Sequence, residues 1–159
     1  MAGRDDDAGE VDDHVGDVDH VGVGDVDRDR VDLVVVATVA LGGVIGSLGR
    51  YAVGEALPHA SGAFPWATLV VNVSGAFAMG LLVAYLVDRP GVHRLARPFV
   101  GVGVLGGWTT FSALAVDVVQ LSAAAEVQLA LGYVAATFLV GTLAVPAGAA
   151  VGQRVWPGP

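Results

Sequence analysis

The chain has 159 residues, of which 54% are hydrophobic and 15% charged, and a formal net charge of −8. It contains no cysteine, which excludes a disulfide scaffold, a thiol enzyme and a thiolate metal site. Sixteen acidic against eight basic residues argue against a nucleic-acid partner, because an acidic surface repels phosphate.

The acidic charge is confined to one end. Twelve of the 16 acidic residues lie at or before Asp32, leaving Glu55, Asp88, Asp117 and Glu126 for the rest. Residues 1–32 hold no aromatic side chain and too little apolar area to offset chain entropy, so they are expected to form a disordered acidic tail. A loose Asp-His-Val-Gly repeat runs around Asp12–Gly22. A weak cation site using Asp with His14 and His20 is one reading of it. A solvated tail is the preferred one, because no ligand spacing stands out. The tail lacks the basic start and apolar run of a signal peptide. The absence of Lys and the preference for Asp over Glu resemble the composition of proteins from a high-salt cytoplasm.

Four long apolar segments follow, at about Leu33 to Ala56, Trp66 to Val87, Pro98 to Leu121 and Val127 to Val151. Roughly 20 apolar residues span a bilayer core as a helix. Short turns separate the segments, at Pro58–Gly62, Asp88–Gly91 and Ser122–Glu126. None of the segments carries the continuous polar stripe of a soluble bundle helix. The expectation is an all-α integral membrane protein with a four-helix transmembrane domain at 33–151 and a short C-terminal tail at 152–159. Dense small residues (Gly42, Gly43, Gly46, Gly49; Gly75, Ala76, Ala78, Gly80) allow close helix packing in lipid. With four spans, the two tails and the second loop share one side, which holds Arg28, Arg30, Arg89, Arg94, Arg97 and Arg154. The positive-inside rule then puts both termini in the cytoplasm of a multi-pass protein of the cell membrane.

The residues that do not suit lipid are informative. Arg50 ends the stretch GGVIGSLGR; it is read either as an interfacial anchor beside Glu55 or as the wall of a vestibule that attracts an anion. Asn72 lies deep in the second segment, as helix-to-helix glue or as a pore-lining donor. In the third segment, Gly106-Gly107-Trp108-Thr109-Thr110 makes a poor continuous helix, so a break at mid-membrane is expected there. Such a break frees backbone groups that must be buried in protein, meet water or bind an ion. In the fourth, Tyr133 and Thr137 share one helical face, and Pro146 is expected to kink the helix.

Three blocks in order, GGVIGSLGRY (Gly42–Tyr51), FPWATLVVNVSGAF (Phe64–Phe77) and GVLGGWTTFSAL (Gly103–Leu114), resemble the CrcB/Fluc family of small fluoride channels, over about Leu33 to Val151. The resemblance implies four-helix subunits that pair antiparallel, with a third helix broken mid-membrane and two fluoride pathways per dimer. It implies a structural sodium ion at the dimer centre, held by backbone carbonyls that map to Gly106 and Thr109. The fluoride-facing phenylalanine maps to Phe111, the pore asparagine to Asn72 and the vestibule base to Arg50. A polar track maps to Ser112, Tyr133 and Thr137. Fluoride export that lowers toxicity would be the role, and no enzyme activity is expected.

The chain departs from the family's TTFSTF pattern at Ala113 and Leu114. Leu offers no polarised ring edge, so a pathway using that position is weakened or closed. An opposed homodimer also needs loop charges that permit both insertions, and here they are one-sided. A heterodimer with an oppositely inserted sister subunit is therefore favoured over a homodimer. Two rivals remain, a non-conducting membrane partner and a small four-helix drug or cation exporter. The exporter needs a membrane-buried carboxylate, and Glu55 and Asp117 are read as lying near helix ends.

Overall fold

The computed structural model describes residues 32–87 and 92–156. The acidic tail before Asp32 and the turn at Asp88–Gly91 lie outside the described residues.

The described residues form helices and connecting turns, with no strand among them. Helix α1 spans Leu33–Ala56 and α2 spans Trp66–Val87. The third span runs Arg97–Ala123 in three pieces: a π-helical segment Arg97–Val104, a short helix α3 (Leu105–Trp108), and α4 (Phe111–Ala123). Helix α5 spans Val127–Val155. All four spans are long and apolar enough to cross a membrane. Large apolar side chains such as Leu41, Leu48, Leu131, Leu139 and Leu143 point outward, as lipid-facing residues do.

Asp32 is a helix cap rather than the last residue of the tail. Its Oδ1 accepts from the Val34 amide at 3.0 Å, and its Oδ2 accepts from Arg94 Nη1 at 2.8 Å. The Arg94 bond, more than any other contact, holds the Asp32 carboxyl below the ordinary carboxylate range. At the other end, α5 runs through Val155, beyond the expected boundary at Val151. Gly152 is buried against α2, and the Trp156 ring meets Tyr85 edge-on at 5.1 Å. These contacts extend the packed surface, so nothing stops the helix at Val151. Pro146 lies inside this one helix.

Two seams organise the bundle. Helix α2 packs on α5, and α1 packs on the π-helical segment and α3. In the first seam a methyl group at Gly80 would overlap the Val145 carbonyl, and one at Gly148 would overlap the Phe77 carbonyl. Backbone thus lies directly on backbone, as small residues permit in lipid. Where α4 meets α5, Leu114, Leu121, Ala130 and Tyr133 form a buried cluster, with Phe64 and Leu69 packed against it.

Candidate functional site at the interruption of the third span

Two residues leave the helix in the middle of the third span. Thr109 (φ −76°, ψ 157°) and Thr110 (φ −152°, ψ 123°) are extended. They are the last two residues of the Gly106–Thr110 stretch where the sequence predicts a break, while Gly106 and Gly107 stay helical within α3. The threonines leave because their side chains compete for backbone groups. Thr109 Oγ1 donates to the Leu105 carbonyl at 3.0 Å, alongside the Thr109 amide at 3.0 Å, which closes α3. Thr110 Oγ1 accepts from the Ala113 amide at 3.1 Å and so caps α4.

Side chains from α1 and α2 clamp the extended pair. Asn72 Nδ2 donates to the Thr110 carbonyl at 2.9 Å, and its Oδ1 accepts from the Thr110 amide at 2.7 Å. This double bond replaces what a strand neighbour would supply. Arg50 Nη1 donates to the Thr109 carbonyl at 3.2 Å. Trp108 Nε1 donates to Ser74 Oγ at 2.9 Å, which ties α3 to α2. Among the described residues, no buried side-chain polar atom lacks a partner. Because the Thr110 amide is turned to Asn72, it does not return to the Gly106 carbonyl as a continuous helix would require. Gly106 is also exposed.

The break opens on a groove of about 530 Å³ between α2, the third span and α5. Five of the sequence-derived site residues line it together: Asn72, Gly106, Thr109, Phe111 and Thr137. Phe111 is 73% exposed, so its ring contacts little of its own chain. The α4 N-terminus, with its free amides and partial positive charge, also opens here. The other three lie elsewhere. Arg50 reaches the break from α1 through the Thr109 carbonyl and does not stand in the groove wall. Ser112 is exposed, with Oγ 3.2 Å from Thr110 Oγ1. Tyr133 is fully buried behind the groove, and its carbonyl accepts from Thr137 Oγ1 at 2.8 Å.

Tyr133 leads to a feature the sequence reading passed over. Its hydroxyl donates to Asp117 Oδ2 at 3.0 Å, and Asp117 is buried in α4. Asp117 Oδ1 lies 4.0 Å from His59 Nε2 in the α1–α2 loop. Asp117 lies in the last two turns of α4, beside the loop, in keeping with the expected position near a helix end; the structure adds that its carboxylate is buried. The signal was present in the spacing, since Leu114, Asp117 and Leu121 fall on one helical face. Two core leucines flanking an Asp at i−3 and i+4 place it inside the protein.

Comparison with known proteins agrees with this architecture. Residues 37–149 match the family described as "CrcB-like protein, Camphor Resistance (CrcB)". A Streptomyces avermitilis protein named "Fluoride-specific ion channel FluC 2" is 52% identical over 103 residues, 65% of each chain. A Paracoccus denitrificans protein named "Fluoride-specific ion channel FluC" is 46% identical over 118 residues, 74% of this chain and 94% of that one. A Nocardia farcinica protein, "Fluoride-specific ion channel FluC 2", is 42% identical over 118 residues, 74% of this chain and 84% of its own. The four apolar spans and a family match covering all of them make this a multi-pass membrane protein of the CrcB family.

Proposed function

We propose that the chain is a subunit of a fluoride-selective channel that lets fluoride leave the cytoplasm down its electrochemical gradient, and so lowers fluoride toxicity. The observation that carries this reading is the extended Thr109–Thr110 pair, clamped by Asn72 and open to a mostly apolar groove in which Asn72, Thr109, Thr110, Thr137 and Thr142 are the polar side chains and Phe111 presents an exposed ring. The relatives' names supply the ion. Fluoride is small and strongly hydrated, so a pathway must replace its water with hydrogen-bond donors. Amide, hydroxyl and backbone N–H groups do this, and the positive edge of an aromatic ring adds to it. Arg50 contributes positive charge beside the break without standing in the narrowest part, where a full charge would hold the ion too tightly.

The subunit works as a dimer, and a heterodimer with an oppositely inserted sister is favoured. The exposed Phe111 suits a surface completed by a second subunit. Leu114, which stands where the family has a ring, is buried at 6% exposure in its own core. The one-sided arginines Arg94, Arg97 and Arg154 favour a single insertion, with both termini in the cytoplasm.

A structural sodium ion belongs to the same reading, and the two carbonyls assigned to it differ in fitness. Gly106 is exposed and its carbonyl has lost the Thr110 amide as helical donor, which suits a cation ligand. The Thr109 carbonyl already accepts from the Arg50 guanidinium, so a cation there would share it with a positive charge. Gly106 is therefore the stronger ligand, with the partner subunit doubling the set. When bound, the ion would supply fixed positive charge at the subunit junction.

The test is fluoride efflux from liposomes, read with a fluoride electrode, with chloride as control. The chain is assayed alone and with an oppositely oriented family member. Selective efflux in either case supports the channel, and efflux only with the sister supports the heterodimer. Selective efflux from the chain alone overturns the heterodimer and keeps the channel. Efflux in neither case leaves the non-conducting partner. The buried Asp117 supplies the carboxylate that the exporter reading needs. Transport of an organic cation driven by a proton gradient would replace the channel with that exporter.

A further inference from the structure

Two sets of polar contacts lie between the α1–α2 loop and the groove, on opposite sides of the Tyr133 ring. His59 Nε2 lies 4.0 Å from Asp117 Oδ1, and the Tyr133 hydroxyl donates to Asp117 Oδ2 at 3.0 Å; on the groove side, Thr137 Oγ1 donates to the Tyr133 carbonyl at 2.8 Å. Thr137 lines the groove with Asn72, Thr110 and Phe111. The Asp117 side chain is 9% exposed and the His59 side chain 27%. The imidazole therefore covers the carboxylate on one side and meets water on the other.

This arrangement has an electrostatic consequence for an anion. A carboxylate in a low-dielectric span repels fluoride strongly, because Coulomb interactions there are weakly screened. Three elements pack around Asp117 and bring their groups to it. Tyr133 on α5 donates one neutral hydrogen bond. Thr68 on α2 is buried and within hydrogen-bonding reach of the Tyr133 phenol, and it carries no charge. His59 is the cation-forming group in contact with the carboxylate. Two further charges lie by the loop, Glu55 in the last turn of α1 and Glu126, whose Cγ lies 3.7 Å from a methyl built on Gly62; both add negative potential. Imidazole is the side chain whose charge ordinarily changes between about pH 5 and pH 8.

We propose that His59 is a positioning residue for anion conduction: once protonated, it pairs with Asp117, cancels the carboxylate's repulsion at the loop end of the pathway, and makes fluoride flux rise in acid. The proposal rests on the channel reading above. It concerns a loop residue outside the three family-like blocks. Its sense is that acid outside the cell drives neutral HF inward, so the demand for fluoride efflux grows under the condition that charges the imidazole.

The test compares fluoride efflux from proteoliposomes of the whole channel at equal pH on both sides, from about pH 5 to pH 8, with protein-free vesicles correcting for HF leak. The wild type gives several-fold faster efflux at the acid end. His59→Gln gives a flat profile at the slow, alkaline level. His59→Arg, a fixed positive charge, gives a flat profile near the acid level. Retention of the wild-type profile by His59→Gln overturns the proposal. A second readout needs no conduction: the His59 imidazole is titrated by NMR in detergent, assigned by its loss in His59→Gln. Asp117→Asn is expected to move its resonances in acid, since the paired anion is gone. Unchanged resonances in acid overturn the pairing. Absence of efflux at every pH, with or without a sister chain, overturns the channel reading itself, and the titration still decides the pair.

Discussion

The seam between α2 and α5 and the break in the third span solve the same problem by different means. Both bring two stretches of backbone close together inside a membrane. At the seam, Gly80 and Gly148 let carbonyls approach with no side chain between, and both stretches stay helical. At the break, two residues abandon their helices, and Asn72, Arg50 and the Trp108–Ser74 pair make up the lost bonds. The first device depends on shape and tolerates no added volume. The second depends on hydrogen-bond chemistry and leaves a groove. A bundle needs only the first to fold in lipid. The second is retained at a cost in irregular backbone, which is the mark of a functional position.

The comparison can be broken at each side. Gly80→Leu should have the largest effect, because the new side chain meets the Val145 carbonyl and cannot be relieved by a rotamer change. A loss of about 3 kcal/mol or more is expected, read as the collapse of the monodisperse detergent peak. Asn72→Ala comes next. It leaves the Thr110 amide and carbonyl without partners, for a loss of about 2 kcal/mol, measured by denaturant titration. Fluoride flux should fall further than stability does, since Asn72 also lines the groove. Full flux in Asn72→Ala would show that the clamp is scaffold alone. Ser74→Ala leaves the indole in place and removes the Trp108 bond, together with the hydroxyl's own bond to the Val71 carbonyl; about 0.6 kcal/mol per bond is expected, the average for such bonds in membranes. A much larger loss by the same titration would make the Trp108 bond as important as the Asn72 clamp.

The smallest effect lies outside both regions, at the α1 cap. The Asp32 carboxyl is held below its ordinary value chiefly by Arg94. A lowered folded-state value means that its contribution is full above the ordinary carboxylate range and is lost as the pH falls through and below that range. Asp32→Asn should therefore match wild type in acid and differ slightly at neutral pH, a difference that salt reduces. Thermal melts at the two pH values check this.

Much of this was legible in the sequence. The bounds of α1 and α2 follow from hydropathy and punctuation, because lipid demands long uninterrupted apolar runs. Asn72 and Arg50 stood out because polar groups in such runs need partners. What they bond to was not legible, since the partners are backbone atoms of Thr109 and Thr110, more than thirty residues away. The interruption falls within the stretch where the sequence predicts it, Gly106–Thr110, at its two threonines rather than its two glycines, because the threonine hydroxyls close α3 and cap α4. The burial of Asp117 was missed because distance from a span end says nothing about which face a residue occupies. His59 was not legible as a partner of Asp117, because the loop's contact with α4 leaves no trace in local sequence.

The π-helical segment Arg97–Val104 has a consequence for what this chain can lose. An i→i+5 ladder is what an α-helix becomes when it absorbs an extra residue. A single-residue deletion inside Arg97–Val104 could therefore be accommodated by reversion to α-geometry, with Trp108 still on Ser74 and the threonine pair still on Asn72. The mismatch would be passed backwards, turning Arg97 by about 100° away from the Leu86 carbonyl it now meets. In this span, length variation is absorbed at the arginine-bearing end, and the register of the break is insulated from it.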